Sequence, residues 1–292
     1  MIFLALSILS STAIFLIFKL FSKFKVNTLH AIVMNYVTAT ICGIVFQKTT
    51  IHIVDIPQYS WFPYALVLGG LFILVFNLMG LTTQRSGLSV VSVATKMSVV
   101  LPIIFGLVYY SESLGYFKII GIVLALAALY LTSIKTKDGI KVKTSNIIFP
   151  ILVFLGSGII DTTVKYLEGE FIAKNDIPIF SAVIYAVSAI IGFGLLAFQA
   201  LKGTFKFQLK NVIGGIALGI PNYFSIYFLV QAFRSGILDS SGIFAINNVA
   251  IVMASTILGI MLFKEKLLPK NWFGIGLAVL SIILIALERF EM

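Results

Sequence analysis

One lysine in the middle of a long apolar run is the side chain best placed for chemistry in this sequence. Lys96 lies within the run 87–109, and Ser89 and Ser92 precede it by seven and four residues, so the three share one face of a helix. An ionisable side chain near the centre of a bilayer costs about 3 kcal/mol or more unless it faces a polar interior. We therefore expect Lys96 and Ser92 to face a solute cavity, where the ammonium attracts an anionic or zwitterionic group. The alternative is a structural lysine paired across helices.

A second polar stripe lies on the apolar run 236–262. Ser241, Asn248 and Ser255 follow one another at intervals of seven residues, and Asn247 lies beside them. These two amides either complete a binding site opposite Lys96 or serve as hydrogen-bonding groups between packed helices. Both interpretations stay open at this point.

Three further asparagines interrupt other apolar runs. Asn35, Asn77 and Asn222 are predicted to line the same solute cavity. Asn222 follows Pro221, and a proline inside a helix removes a hydrogen bond and can bend the axis. This stretch is therefore either a hinge or cavity wall or a simple kink in packing.

Asp161 is the carboxylate that lies deepest inside a predicted helix. Lys165 follows it by four residues, so the two side chains can pair on one helical face. The two alternatives are a structural ion pair at the membrane edge and a proton-coupling role for Asp161.

Enzyme signatures are mostly absent from the chain. There is no GxxxxGK[ST] phosphate loop, no HExxH metal helix and no Asp-rich pair that would hold a metal-bound diphosphate. The two histidines, His30 and His52, lie near the ends of apolar runs, where an interfacial position accounts for them. Cys42 is the only cysteine, so no intrachain disulfide can form. We predict no enzymatic activity, no bound metal and no cofactor.

Long apolar runs must position these polar residues. Hydrophobic residues make up 60% of the 292 positions and charged residues 11%, against roughly 25% charged in soluble domains. Crossing the bilayer core takes about 20 apolar residues, and continuous apolar runs favour helices over the alternating strands of a barrel. The sequence predicts an all-α integral membrane protein of about ten transmembrane helices. The ten runs are approximately 2–18, 28–46, 61–82, 87–109, 116–134, 147–164, 178–200, 211–231, 236–262 and 271–287.

Short landmarks recur along the chain at a nearly constant spacing of 149 to 153 residues. Recurrence in the same order favours duplication, here into two five-helix repeats, 1–138 and 139–292. Because five is odd, the second repeat crosses the membrane with the opposite orientation, as in many secondary transporters. The matching landmarks are Arg85-Ser86-Gly87 with Arg234-Ser235-Gly236, Glu112 with Glu265, and Gly121 with Gly274.

The five-plus-five arrangement, with Glu112 after the fourth helix, Glu265 after the ninth and a glycine-bearing helix after each, resembles the drug/metabolite transporter superfamily, EamA type. The resemblance covers nearly the whole chain. It implies secondary transport by alternating access, often export of amino acids or other metabolites, so we expect an exporter of small metabolites. The alternatives are a membrane channel and a membrane-embedded lipid-modifying enzyme. The two glutamates are expected only to shape the turns that follow them.

Positive charge is concentrated in one set of connections. The net charge is +10, and fourteen of the 21 Lys and Arg residues lie in the odd-numbered connections. The positive-inside rule places those connections in the cytoplasm and both termini outside, whereas the family resemblance implies that both termini lie inside; both orientations stay open. We expect a multi-pass protein of the cytoplasmic (inner) membrane, a monomer or homodimer, whose partners are a small-molecule solute and membrane lipids, not nucleic acid.

Overall fold

Helices account for nearly all of the chain that the structure describes. The computed structural model describes residues 1–47, 53–86, 94–112, 115–133, 147–173, 176–263 and 268–287, and no β-strand occurs within these ranges. A short 3-10 helix, Ile53–Gln58, precedes the third α-helix. The α-helices are α1 (Ile2–Phe24), α2 (Thr28–Val45), α3 (Phe62–Ser86), α4 (Val100–Tyr109), α5 (Tyr116–Ser133), α6 (Ile148–Glu170), α7 (Ile177–Leu201), α8 (Leu209–Arg234), α9 (Ser240–Phe263) and α10 (Pro269–Leu287).

Six of these helices are long and apolar enough to cross a membrane. They are α2, α3, α6, α7, α8 and α9, and shorter apolar helices accompany them in the described chain. In a bilayer, a helix satisfies its backbone hydrogen bonds within one segment, which is why apolar runs of this length fold as helices. The predicted fold class is thus confirmed in its coarser form: the chain is an all-α, multi-pass membrane protein.

Several helix ends differ from those predicted. The apolar runs end beside Lys19 and Lys165, but α1 and α6 continue to Phe24 and Glu170. Lysine is a good helix former whose long stem lets its charge reach the membrane surface, so the end of an apolar run does not end the helix. In the opposite sense, α9 begins only at Ser240, after Gly236 with φ of +60° has turned the chain.

Most helices pack against helices from the other half of the chain. In the first half, α2 packs on α7 and α8, α1 on α8 and α9, and α3 on α6 and α7. In addition, α4 packs on α6 and α9, and α5 packs on α9 and α10. Glycine permits the tightest of these approaches, because a Cβ on Gly215 or Gly219 of α8 would overlap Met34 or Thr38 of α2.

Buried apolar side chains form two main clusters. One surrounds Tyr36, Trp61 and Tyr185 and involves α2, α3, α6, α7 and α8. The other surrounds Ile103 and Phe244 and involves α1, α4, α5, α8, α9 and α10. Helix α6 belongs to the first cluster and α1 and α9 to the second. The buried Lys96, which precedes α4, faces these three helices.

Candidate solute site around Lys96

The helical segment that carries Lys96 ends just after this residue. Residues 94–97 are helical, Ser98 and Val99 form a turn, and α4 begins at Val100. Pro102 has no N–H to donate to the carbonyl of Ser98, which instead accepts the N–H of Leu101 at 3.0 Å. Proline thus converts one helical turn into a tighter one directly after Lys96.

Lys96 is buried, with 7% of its surface exposed, and it faces three other helices. Its Nζ donates a long hydrogen bond of 3.5 Å to Oδ1 of Asn248 on α9 and lies 4.6 Å from the ring centroid of Phe15 on α1. The carboxylate of Asp161 on α6 is near enough to interact electrostatically with it. Within the described chain no ion pair of 4.0 Å or less joins the two charges. The Lys96 site therefore holds two opposite charges that interact without a direct ion pair.

Two adjacent amides on α9 complete the Lys96 site. The Nδ2 of Asn248 donates to the carbonyl of Phe244 at 3.1 Å, which leaves its Oδ1 turned towards Lys96. Asn247 is buried, and the described residues give its Oδ1 no hydrogen-bond partner. A buried acceptor without a partner costs free energy. Helix α9 thus carries one weakly used acceptor, at Asn248, and one unused acceptor, at Asn247. The Lys96 site is defined hereafter as Phe15, Lys96, Asp161, Asn247 and Asn248.

Asn35 and Asn222 meet each other and do not contact the Lys96 site through any described side-chain bond. Nδ2 of Asn222 donates to Oδ1 of Asn35 at 3.1 Å. The carbonyl of Asn222 also accepts the hydroxyls of Tyr185 at 3.1 Å and Ser225 at 2.8 Å. These bonds join α2, α7 and α8, which is the behaviour of polar groups that hold membrane helices together.

The remaining predicted residues are not brought to Lys96 by any described contact. Nδ2 of Asn77 donates to the carbonyl of Ile73, one turn earlier in its own helix, at 2.8 Å. This local bond competes with any partner on a neighbouring helix. Ser92 lies outside the described residues.

The predicted pair between Asp161 and Lys165 is wrong. Nζ of Lys165 instead contacts Oε2 of Glu168 at 2.7 Å and lies over the rings of Tyr110 and Phe233. A lysine near a helix end extends towards the polar surface rather than the apolar interior, and Glu168 is one turn closer to that end. Asp161 is thereby left to face Lys96.

Glu112 is the residue whose importance the sequence reasoning missed. Its Oε1 accepts the backbone N–H of Ser240 at 2.9 Å and also the Ser240 hydroxyl, while Oε2 accepts the N–H of Ser241 at 3.1 Å and its hydroxyl. The carboxylate thus binds the first N–H groups of α9, where the helix dipole favours negative charge. Ser240 and Ser241 indicate a helix start in the sequence, but no local pattern indicates that Glu112 caps it.

Lys118 completes this arrangement from α5. Its Nζ contacts Asp239 at 2.7 Å and Glu112 at 3.6 Å. Burial favours the neutral form of Glu112, but the hydrogen bonds from Ser240 and Ser241 and the Lys118 ammonium together lower its pKa below the usual value. We call this set of residues, Glu112, Lys118, Asp239, Ser240 and Ser241, the Glu112 clamp.

A cavity of about 460 Å³ adjoins the clamp. The neighbouring charges of α6 and α8 are held in place, because Arg234 pairs with Glu168 at 2.7 Å and also donates to the Glu168 carbonyl at 3.0 Å. The cavity is lined by Tyr110, Ser111, Glu112, Lys165, Phe233, Leu238, Asp239 and Ser240. It forms a charged vestibule at one end of the helix bundle.

Comparison with known proteins gives one relative and one fold. No family model matches the chain. An uncharacterized protein of Haemophilus influenzae is 30% identical over 279 residues, which cover 93% of each chain. The crystal structure of another protein superposes with a TM-score of 0.77 and covers 99% of this chain and 97% of that one, at 13% identity. That likeness shows a shared fold.

Proposed function

The chain belongs to one family with the Haemophilus influenzae protein, and from this premise we propose that it is a secondary transporter of small metabolites that works by alternating access in the cytoplasmic (inner) membrane. The observation that carries the proposal is Lys96, a buried cation whose described polar bond is a long one to Asn248. Ionisable groups are retained inside membranes mainly where they act on a solute or ion.

The pattern of helix packing supports two five-helix repeats, 1–138 and 139–292, which we propose to be inverted and to supply ten membrane spans. Suppose that each helix is replaced by its counterpart five helices along the chain. The packed pair α2–α8 then becomes the packed pair α7–α3, α1–α8 becomes α6–α3, and α1–α9 becomes α6–α4. The pairs α2–α7, α4–α9 and α5–α10 map onto themselves. A two-fold relation between the halves requires this exchange, and inverted repeats place solute sites between them.

Residues of the Lys96 site occupy positions that this two-fold relation would match. Lys96 and Asn248 are 152 residues apart, close to the spacing of the sequence landmarks. Phe15 and Asp161 occupy the same place in two helices of 23 residues, α1 and α6. The repeats thus supply matching positions but different side chains, so a symmetric scaffold carries one cation and one anion.

The two charges suit a zwitterionic solute such as an amino acid. Lys96 would bind the carboxylate, and Asp161 would bind the ammonium group. A proton and an ammonium group would compete for the same carboxylate, which gives Asp161 a physical route to couple solute movement to protons. Export, and membership of the drug/metabolite transporter superfamily, remain part of this proposal.

The test begins with a search for a solute. Purified protein is screened for thermal stabilisation by the standard amino acids and other small metabolites, and hits are tested for counterflow in proteoliposomes. A carrier gives saturable uptake that is accelerated by solute on the other side. A channel gives non-saturable flux without counterflow, and a lipid-modifying enzyme gives chemical conversion instead.

The Lys96 variants link that activity to the site. We expect Lys96→Met to lose stabilisation by the solute while its own melting temperature stays near that of the wild type, because Met keeps the length but lacks the charge. Lys96→Arg should retain part of the binding. Binding by a folded Lys96→Met protein at wild-type affinity would reject the proposed site.

Opposite orientation of the repeats is tested by labelling. Cys42 is first replaced by Ser, and single cysteines are then placed at Lys23 and at Glu170, which are exposed near the ends of α1 and α6. An impermeant maleimide should label them from opposite sides of the membrane. Labelling from the same side would contradict the inverted repeat.

A further inference from the structure

A polar cavity of about 260 Å³ opens beside the start of α8, whereas α8 ends near the Glu112 clamp. It lies between the connection from α1 to α2 and the connection from α7 to α8, so both halves of the chain contribute walls. Every lining side chain is polar, and none is a carboxylate. The lining residues are Asn27, His30, Gln199, Thr204, Lys206, Gln208 and Asn211.

Hydrogen bonds fix the polar wall of this cavity. Oδ1 of Asn211 accepts the backbone N–H of Asn27 at 2.9 Å, so Nδ2 of Asn211 is the group 3.4 Å from Nδ1 of His30. Because Nδ2 can only donate, Nδ1 must accept, and Nε2 of His30 carries the proton towards Oε1 of Gln199 at 3.2 Å. His30 is therefore a buried wall residue with both ring nitrogens bonded.

The rim of the cavity has the character of a membrane–water boundary. Along residues 201–210 every side chain is exposed. Leu201, Phe207 and Leu209 are 87%, 71% and 63% exposed, and they alternate with lysines at 202, 206 and 210. Apolar side chains beside lysines are typical of segments that rest on lipid, with the charges at the phosphates.

One lysine and one helix start place positive charge at the cavity. Lys206 is the one charged residue in its lining, and the described chain gives this lysine no ion pair. Helix α8 begins here, and its N-cap residue Gln208 makes no side-chain cap. The positive end of the helix therefore adds to the lysine charge.

We propose that this cavity binds the phosphate group of an anionic phospholipid. Lys206 and the start of α8 bind the phosphate, the side-chain amide of Gln208 donates to headgroup oxygens, and the acyl chains lie against the exposed apolar rim. Because Asn27 and His30 come from one half of the chain and the other lining residues from the second half, a bound headgroup holds the two halves together at this end.

Native mass spectrometry of the full-length protein tests the proposal. The protein is purified without phosphate and exchanged into phosphatidylglycerol or phosphatidylcholine with the same acyl chains. We expect preferential retention of phosphatidylglycerol and about fivefold weaker retention by Lys206→Gln, since one lysine near a lipid surface contributes on this scale. The matched control is Lys202→Gln, which removes the same charge from the same exposed connection but outside the cavity.

The outcomes separate a built site from general surface charge. Loss in Lys206→Gln with retention in Lys202→Gln supports the cavity. Equal loss in both variants, or equal retention of both lipids, overturns it. Thermal stabilisation by inorganic phosphate that depends on Lys206, with lipid retention that does not, overturns the lipid as the ligand and identifies a small-anion site.

Discussion

The Glu112 clamp and the Lys96 site both join the two halves of the chain, but they differ in how fully their charges are paired. The two oxygens of Glu112 accept four hydrogen bonds, and Lys118 bridges Glu112 to Asp239. By contrast, the described residues give Lys96 a single hydrogen bond, of 3.5 Å.

This difference is the one expected between a structural charge and the solute-binding charge that we propose for Lys96. A buried charge with all its bonds made is costly to disturb, because each lost partner leaves another group unsatisfied. A buried charge with few bonds loses little when a solute replaces its neighbours. We infer that the clamp fixes the start of α9, while the Lys96 site is free to exchange partners.

Both features act on the same helix. Ser240 and Ser241 lie at the start of α9, and Asn248 follows two turns later. Any rearrangement that moves α9 away from α5 must therefore release the clamp first. Glu265, the glutamate that matches Glu112 among the sequence landmarks, lies outside the described residues.

The largest expected effect is the loss of the clamp. Glu112→Ala removes the acceptor of four hydrogen bonds and one carboxylate partner of Lys118, so we expect the free energy of unfolding to fall by about 3 kcal/mol. Thermal unfolding of the purified protein in detergent measures this change. The control is Glu170→Ala, an exposed glutamate near the end of α6; an equal shift in both variants would contradict a clamp.

The second prediction concerns the charge opposite Lys96. Asp161→Asn keeps the size of the side chain but removes its negative charge, so an ammonium-bearing solute loses its partner and a proton no longer competes for it. We expect about tenfold weaker uptake, equivalent to about 1.4 kcal/mol, and a flatter dependence of uptake on pH in proteoliposomes. Unchanged uptake and an unchanged pH profile would leave Asp161 without a coupling role.

Sequence alone predicted the membrane fold and the facing pair of Lys96 and Asn248 for definable reasons. The length of an apolar run indicates a membrane-spanning helix, because the thickness of the bilayer sets that length. The spacing of the sequence landmarks predicted Asn247 and Asn248 as the counterparts of Lys96, and Oδ1 of Asn248 does lie 3.5 Å from its Nζ. The role of these residues in binding a solute stays a prediction.

Other assignments depend on side-chain contacts that a local sequence pattern does not give. Asn77 was grouped with the cavity because it is polar, but its amide bonds to its own helix. Lys165 has Asp161 one helical turn before it and Glu168 one turn after it. It pairs with Glu168 because that residue lies closer to the membrane surface. Glu112 caps a helix that begins 128 residues later, a distance at which local pattern carries no information.

The third prediction uses acid to weaken the clamp. Because the folded-state pKa of Glu112 is lowered, its contribution to stability is complete above the unfolded-state pKa of about 4.3 and is lost as the pH falls through the folded-state value. Glu112→Gln cannot titrate at this position. The difference in melting temperature between wild type and Glu112→Gln should therefore shrink as the pH falls from about 6 to about 3. A constant difference would show that the carboxylate charge is not what stabilises α9.

The smallest expected effect separates two asparagines of equal size. Asn248→Ala removes the described hydrogen bond of Lys96, but this bond is 3.5 Å long and contributes little, so we expect solute affinity to fall only two- to threefold, about 0.5 kcal/mol. Asn77→Ala removes an amide that is bonded within its own helix, so it should leave affinity unchanged. Titration of thermal stabilisation with the best solute from the screen measures both variants. A larger loss in Asn77→Ala than in Asn248→Ala would reverse the assignment and place the solute nearer α3 than α9.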